Sequence, residues 1–427
     1  MTVADLYQMY LRHPQITIDS RNCPRGSLFF ALKGERFDGN QFAEKALAIG
    51  ADYAVIDNPG YYKDERTILV DNVLATLQQL AQRHRKMLGI PVIAITGTNG
   101  KTTTKELVAA VLSTKFNLLC TEGNLNNQIG VPLTLLKLNH DHELAVIEMG
   151  ASHPGDIKEL VEIALPNYGI ITNIGQAHLE GFGTFENVVK TKGELYDYIR
   201  RTKGTVFIRK EDKELQAMAK GIEQVTYGSA DDAFASGHVV SNTPFFTFDW
   251  KQQGKIHTVE THLIGEYNLE NVLATVAVGR YFKIPAERIS RIIATYKPTN
   301  NRSQFKKTDA NKLIIDAYNA NPTSMKAALR NFAKMNVSPK TVILGDMKEL
   351  GADSETLHTE IVNEIVAGGF DKVFLCGEYF GKTAKSFTVY PTTDHLIVAL
   401  QTNPLKGYHI LIKGSRSMGL ERVADIL

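Results

Sequence analysis

The 427-residue sequence predicts an α/β protein of three domains: a small mixed α/β N-terminal domain, a central P-loop-type doubly wound domain and a C-terminal Rossmann-like domain. Three observations predict this. An apolar run from Val92 to Ile95 feeds a glycine turn and then a helical stretch opening at Lys101. Apolar runs closed by a polar residue alternate with helical stretches on both sides of a polar, turn-forming joint at Pro298–Asn301. Before residue 90 the pattern is instead short strands and turns.

The length suits two to four domains, and 43% hydrophobic with 22% charged composition lets each bury a core. The expected boundaries are 1–86, 87–297 and 298–427. In the first segment, Gly26–Gly34 and Ala54–Asp57 read as strand and turn, followed by an amphipathic stretch from Leu74 to Met87. In the second, strands are expected at the glycine turn, at Glu143–Met149 and at Tyr168–Asn173. A strand-rich region then covers 205–264, and helical periodicity returns over Gly265–Ala274. The third segment offers strands at Lys312–Asp316, Lys340–Asp346, Lys372–Cys376 and Tyr408–Lys413. There is no fixed-period repeat or low-complexity tract, which excludes solenoids and disordered tails.

A net charge of +2, with no basic run interleaved with aromatics, gives no electrostatic support for nucleic acid or a membrane surface. A small or acidic metabolite fits better. Cys23, Cys120 and Cys376 lie far apart and form no C-x-x-C pair, so they read as buried thiols in a reducing compartment. With neither a basic leader nor a membrane-length apolar segment, the expectation is a cytoplasmic protein without membrane insertion.

The turn Gly97-Thr98-Asn99-Gly100-Lys101-Thr102-Thr103 has the chemistry of a phosphate cradle. Its glycines let amide N–H groups converge on a polyphosphate, and the helix behind directs its positive dipole end at the same anion. Lys101 would reach the terminal phosphates and Thr102 would ligate their magnesium. A general P-loop would have glycine where Ile95 stands, so the spacing is a variant one. The competing interpretation is an ordinary strand-to-helix turn with an exposed lysine.

Ligands of open parallel sheets bind beyond the carboxyl ends of the strands, so polar residues there are candidates. Glu148 is either a magnesium ligand or a turn carboxylate. His178, in the glycine-containing segment 172–183 expected to be a loop, is either a ligand or a solvated residue. Lys190 and Lys192 fall in a helical stretch, Phe185–Arg200, where a lysine ordinarily lies on a solvated face. Asp316 and Asp346 close strands, Asn319, Asn321 and Ser324 crowd the turn after Asp316, and Lys413, Ser415 and Arg416 follow the last strand as an anion-binding candidate or as plain loop polarity.

The stretch Ala94–Thr102 resembles the phosphate loop of the Mur ligase family of ATP-dependent amide-forming enzymes, and the likeness extends along all three segments. Asp19–Arg21 and Phe29–Gly39 are similar to a uridine-nucleotide site. Asn124–Pro132, Glu148–Gly150 and Asn173–His178 resemble central-domain motifs of the family. Asp316–Pro322, Leu344–Gly351 with His358, and Lys413–Arg416 resemble those of its last domain.

The resemblance implies ATP and two magnesium ions as cofactors, with UDP-N-acetylmuramoyl-tripeptide and D-alanyl-D-alanine as substrates. It implies that Ser20, Arg21, Lys33, Asp38, Asn126, Asn127, Asn319, Lys413, Ser415 and Arg416 serve the substrates, and that Asn271, Arg302, Asp316 and Tyr318 contact the nucleotide. Thr102, Glu148, His178 and a carbamylated Lys192 would hold metal. Asn301 stands where many relatives have glycine before the arginine. Asp346 is the candidate for orienting or deprotonating the amine, and closure about Pro298–Asn301 is expected before chemistry. A monomer suffices. The rivals are a folylpolyglutamate synthase-like or other Mur ligase, and a switch-type nucleoside triphosphatase.

Overall fold

The structure is a computed structural model describing residues 1–299 and 301–427, so Asn300 of the expected joint lies outside the described residues. The chain forms two compact units, one of Met1–Ile95, Phe116–Ala151 and Gly155–Gly169, the other of Thr96–Lys115, Ser152–Pro154 and Ile170–Leu427.

In the first unit a four-stranded parallel sheet orders Ile16–Thr17, Ser27–Phe30, Ala51–Ile56 and Thr67–Leu69. Ser27–Phe30 is buried along its whole length, as expected of a parallel strand covered on both faces. The amphipathic stretch forms the helix Val73–Leu88, capped by Asn72 and stopped by Gly89 at φ +66°. Where the sequence reads as short strands and turns, the chain also forms the helix Ala43–Ile49 and, at its start, the helix Val3–Arg12. Its start was written in the sequence, since Thr2 and Asp5 cap each other's backbone N–H in a capping box. Its Tyr10 hydroxyl donates to the Leu136 carbonyl at 2.6 Å, beside buried His84. In the same unit Val92–Thr96, up to Ile95, pairs in parallel with Leu144–Glu148, which pairs in parallel with Leu118–Cys120.

In the second unit the strands Thr205–Arg209, Glu223–Gly228, Ala235–Asn242, Phe246–Gln252 and Lys255–Glu260 neighbour one another in chain order, the first three parallel and the last two antiparallel. The helix Leu269–Tyr281 is apolar nearly all round and packs on the helix Lys101–Leu112. After Tyr168–Ile171 the expected loop contains a short helix, Leu179–Phe182. A further sheet orders Gln304–Lys307, Lys312–Asp316, His409–Lys413, Lys340–Gly345, Lys372–Cys376 and Val389–Tyr390, antiparallel only at its first pair. All four expected strands are present, and the two short edge strands are additional. The register sets Asp316 opposite Lys413, so the carboxyl ends of adjacent strands deliver opposite charges to one point.

No helix among the described residues is long and apolar enough to cross a membrane.

Candidate active site

The phosphate-loop candidate has the backbone its glycines allow: φ is +138° at Gly97 and +80° at Gly100. Its far side is fixed by the end of Tyr168–Ile171. Thr98 N–H donates to the Asn173 carbonyl at 2.9 Å, Asn99 N–H to Asn173 Oδ1 at 3.0 Å, and Thr172 Oγ1 to the Asn99 carbonyl at 2.6 Å. Lys101 Nζ donates to the carbonyls of Gly97 at 2.7 Å and Thr98 at 3.0 Å, holding the ammonium over the loop. Thr102 is buried and Thr103 half-buried in the first helical turn. Asn271 backs the loop: its Oδ1 accepts from Thr104 Oγ1 at 3.1 Å and its Nδ2 donates to Asn268 Oδ1 at 2.8 Å.

In the other unit Glu148 is buried at 1% exposure. Its Oε1 accepts from Asn126 Nδ2 at 2.8 Å and its N–H donates to Thr121 Oγ1 at 2.9 Å, while Oε2 is buried without a hydrogen-bond partner. An ionised oxygen in that state is costly and fits a bound cation. No cluster of three or more His, Cys, Asp or Glu side chains suited to metal occurs among the described residues. That is compatible with magnesium, which keeps waters and takes only one or two carboxylates. Asn127 Oδ1 is spent locally on the N–H groups of Ile129 and Gly130, at 3.2 and 2.9 Å.

His178 has φ +52° and its Nδ1 pairs with Glu349, whose carboxyl this hydrogen bond holds below the usual range. One ring nitrogen is therefore committed to a carboxylate, a common arrangement behind a metal-bound imidazole. The helix Phe185–Thr202 sets Lys192 on its buried side rather than on a solvated face: it is 3% exposed with Nζ 5.9 Å from the Phe182 ring centre. Lys190 is exposed.

At the edge of the last sheet, Lys413 Nζ meets Asp316 Oδ2 at 2.5 Å and the Asn319 carbonyl at 3.2 Å. At 2% side-chain exposure Lys413 neutralises Asp316 and pins the turn. Asn319 Oδ1 is turned onto Ala320 N–H at 2.8 Å. Two guanidinium groups approach the Tyr318 ring, Arg302 at 3.7 Å and Arg416 at 5.1 Å from its centre. Ser415 Oγ accepts from Lys348 N–H at 2.9 Å.

Asp346 has no exposed surface, and its two oxygens accept the N–H groups of Tyr379 and Phe380, each at 3.1 Å. This gives Asp346 an anchoring task rather than the open position a direct proton acceptor needs. Beside it His358 Nδ1 donates to the Ser354 carbonyl at 2.6 Å and Nε2 accepts from Met347 N–H at 3.0 Å, which fixes the neutral ring. Burial holds its pKa below the ordinary value. The unfolded chain therefore takes up a proton near pH 6.5 that the native state refuses, so stability is complete above that pH and falls below it. His358→Gln should melt lower at pH 8 and lose less between pH 7 and 5. Parallel melting curves for the two proteins would refute this.

In the first unit, Asp19 grips Arg21 Nε at 2.9 Å, which brings its carboxyl down to about 2, and Ser20 lies in the same turn. Lys33 Nζ pairs with Asp57 at 2.8 Å. Asp38 accepts from Asn40 Nδ2 at 2.6 Å, and Asn40 Nδ2 also reaches Asp57 Oδ1 at 2.9 Å. Lys33 and Asp38 are thus joined through Asn40 and Asp57, which sequence reasoning missed, although Asp57 closes an apolar run as the other candidates do.

Three family models match the chain: "Mur ligase family, catalytic domain" over residues 14–85, "Mur ligase middle domain" over 95–279 and "Mur ligase, glutamate ligase domain" over 301–416. The UDP-N-acetylmuramoyl-tripeptide--D-alanyl-D-alanine ligase of Bacillus subtilis is 36% identical, with 100% of this chain and 97% of that protein covered. Its Escherichia coli counterpart is 34% identical over 96% of this chain and 93% of that protein. Among solved structures, MurF from Acinetobacter baumannii matches with TM-score 0.89 at 30% identity, covering 100% of this chain and 98% of that one. MurF from Thermotoga maritima in complex with ADP matches with TM-score 0.88 at 26% identity, covering 97% of each. The chain belongs to the Mur ligase family.

Proposed function

We propose that this enzyme is an ATP-dependent ligase joining D-alanyl-D-alanine to UDP-N-acetylmuramoyl-tripeptide in the cytoplasm, a step of peptidoglycan precursor synthesis. The observation that carries the reading is the glycine turn before Lys101, held open by Thr172 and Asn173, in a chain similar over its whole length to ligases of that name. A folylpolyglutamate synthase-like activity is the weaker reading. The Thermotoga maritima enzyme of that name shares the fold alone, at 14% identity and TM-score 0.60.

In this reading residues 1–86 bind the UDP-muramoyl substrate, 87–297 bind ATP, and 298–427 bind the amine and part of ATP. A carboxylate resists an amine because its leaving group would be oxide, so the tripeptide carboxylate first attacks the γ-phosphate to give an acyl phosphate and ADP. Amide N–H groups of residues 97–102 and the Lys101 ammonium offset charge on the transferring oxygens. Magnesium, when bound, adds Lewis-acid neutralisation of the phosphates, with Thr102, Glu148, His178 and Lys192 as its candidate holders. Tyr318, with Arg302 across its ring, forms a flat cationic surface for the nucleotide. Arg416, on the same ring, is placed for an anionic oxygen of the phosphate or the dipeptide. The neutral amine of D-alanyl-D-alanine then attacks the acyl carbonyl, the amide bond forms as the acyl–oxygen bond breaks, and the phosphate leaves carrying the proton the amine gives up. Asp346 acts by tying the strand end that leads into Lys348 and Glu349 onto the backbone N–H groups of Tyr379 and Phe380.

Lys192 is proposed to carry a carbamate, which converts a buried cation into an anionic oxygen donor. Lys192→Ala should lose most activity, and bicarbonate should not restore it; near-normal turnover would remove the residue from the site. The functional reading is tested by phosphate release with ATP, magnesium, UDP-linked muramoyl tripeptide and D-alanyl-D-alanine, each omitted in turn. Release should require all of them, and release without the amine would favour a switch-type triphosphatase.

A further inference from the structure

Asn321 precedes the helix Pro322–Lys334 and caps it, its Oδ1 accepting Ser324 N–H at 2.9 Å. Because a backbone N–H can only donate, this bond identifies the oxygen end of the carboxamide and leaves the Nδ2 end for another partner. That partner is Asn99 of the phosphate loop, whose Oδ1 accepts from Asn321 Nδ2 at 2.8 Å. Asn99 is also held through its backbone, by Asn173 Oδ1 on its N–H at 3.0 Å and by Thr172 Oγ1 on its carbonyl at 2.6 Å. A second close approach lies alongside, since a Cβ at Gly175 would come within 3.0 Å of Thr323 Oγ1. Asn321 is 5% exposed and Asn99 half-buried, so the hydrogen bond between them is partly withdrawn from water.

The two demands on this residue select asparagine. Aspartate caps a helix but has no donor, and serine caps a helix but is too short to reach Asn99.

We infer that Asn321 is a positioning residue for the phosphate loop, carrying the seating of the C-terminal segment into the loop's conformation. The triphosphate is then fully gripped only when that segment is docked, which restrains hydrolysis before the amine site is assembled. This rests on the ATP-dependent reading above and adds a residue and a coupling to it.

The test uses the full chain, with ADP binding, ligation kinetics and thermal melting measured on Asn321→Ser, Asn99→Ala and the double variant. Asn321→Ser keeps the helix cap and deletes the bridge. It should weaken ADP binding about threefold to tenfold, the worth of one hydrogen bond, and raise KM for ATP. KM for the dipeptide and the melting temperature should stay put. Asn99→Ala should do the same, and the double variant should be no weaker than the weaker single one. Losses that multiply in the double variant, or an Asn321→Ser protein that binds ADP as the unaltered chain does, would overturn the inference alone. An unaltered chain that binds no ADP would sink the functional reading and the inference together.

Discussion

Gly97→Ala should lower kcat/KM by about a hundredfold or more while leaving the protein folded, because a displacement of about 1 Å at a reacting group costs on that order. Two independent effects act at this position. Alanine rarely adopts φ +138°, and its Cβ would overlap the Thr172 hydroxyl and approach the Thr172 backbone nitrogen to 3.0 Å. Thr172 cannot yield without releasing the Asn99 carbonyl, so the loop itself must move. Gly100→Ala should act similarly, since its Cβ would come within 2.5 Å of Asn271 Oδ1, which is held by Thr104. Gly89→Ala is the control. Gly89 has φ +66° but nothing within 4 Å of its Cβ, so this substitution should cost about 1 kcal/mol of stability and no activity. Steady-state kinetics and melting of the three variants decide the matter, and a Gly97→Ala enzyme with ordinary KM for ATP would refute the steric argument.

What the sequence made legible follows from how local each signal is. The glycine turn is a local instruction, because strand, positive-φ residues and helix onset are adjacent, and it appears where expected. The burial of Lys192 is legible in the helical periodicity, although a lysine in a helix ordinarily lies on a solvated face. Val188, Lys192, Leu195, Tyr196 and Ile199 recur at three and four residues, and that stripe is buried, whereas Lys190 falls outside it. Other features had no local trace. The His178 pairing with Glu349, the Asn99 bond to Asn321 and the Lys413 pair with Asp316 each join residues far apart in the chain, and single residue types do not announce such partners. Asp346 shows the opposite hazard. A strand-end aspartate looks like a reacting group, but its position before the N-terminus of the Glu378–Thr383 helix makes it a receptor for backbone N–H groups.

Glu148→Gln should cost about a hundredfold to a thousandfold in kcat without destabilising the protein. Most buried residues lose stability when altered, so activity and stability falling together would say little. Here they should separate. The glutamine oxygen can still accept from Asn126 Nδ2, and the substitution removes a charge whose second oxygen has no hydrogen-bond partner. Desolvating an unpaired carboxylate opposes folding by several kcal/mol, so the metal-free variant should melt at the same temperature as the unaltered protein or above it. Magnesium reverses the order: a cation that binds only the native state stabilises it by mass action, and that increment requires the carboxylate. Titrating magnesium with nucleotide present should raise the melting temperature of the unaltered chain and leave Glu148→Gln nearly flat. A variant that melts well below the unaltered protein without metal would mean Glu148 serves the fold, and one that keeps its turnover would mean the orphaned oxygen binds nothing the reaction needs.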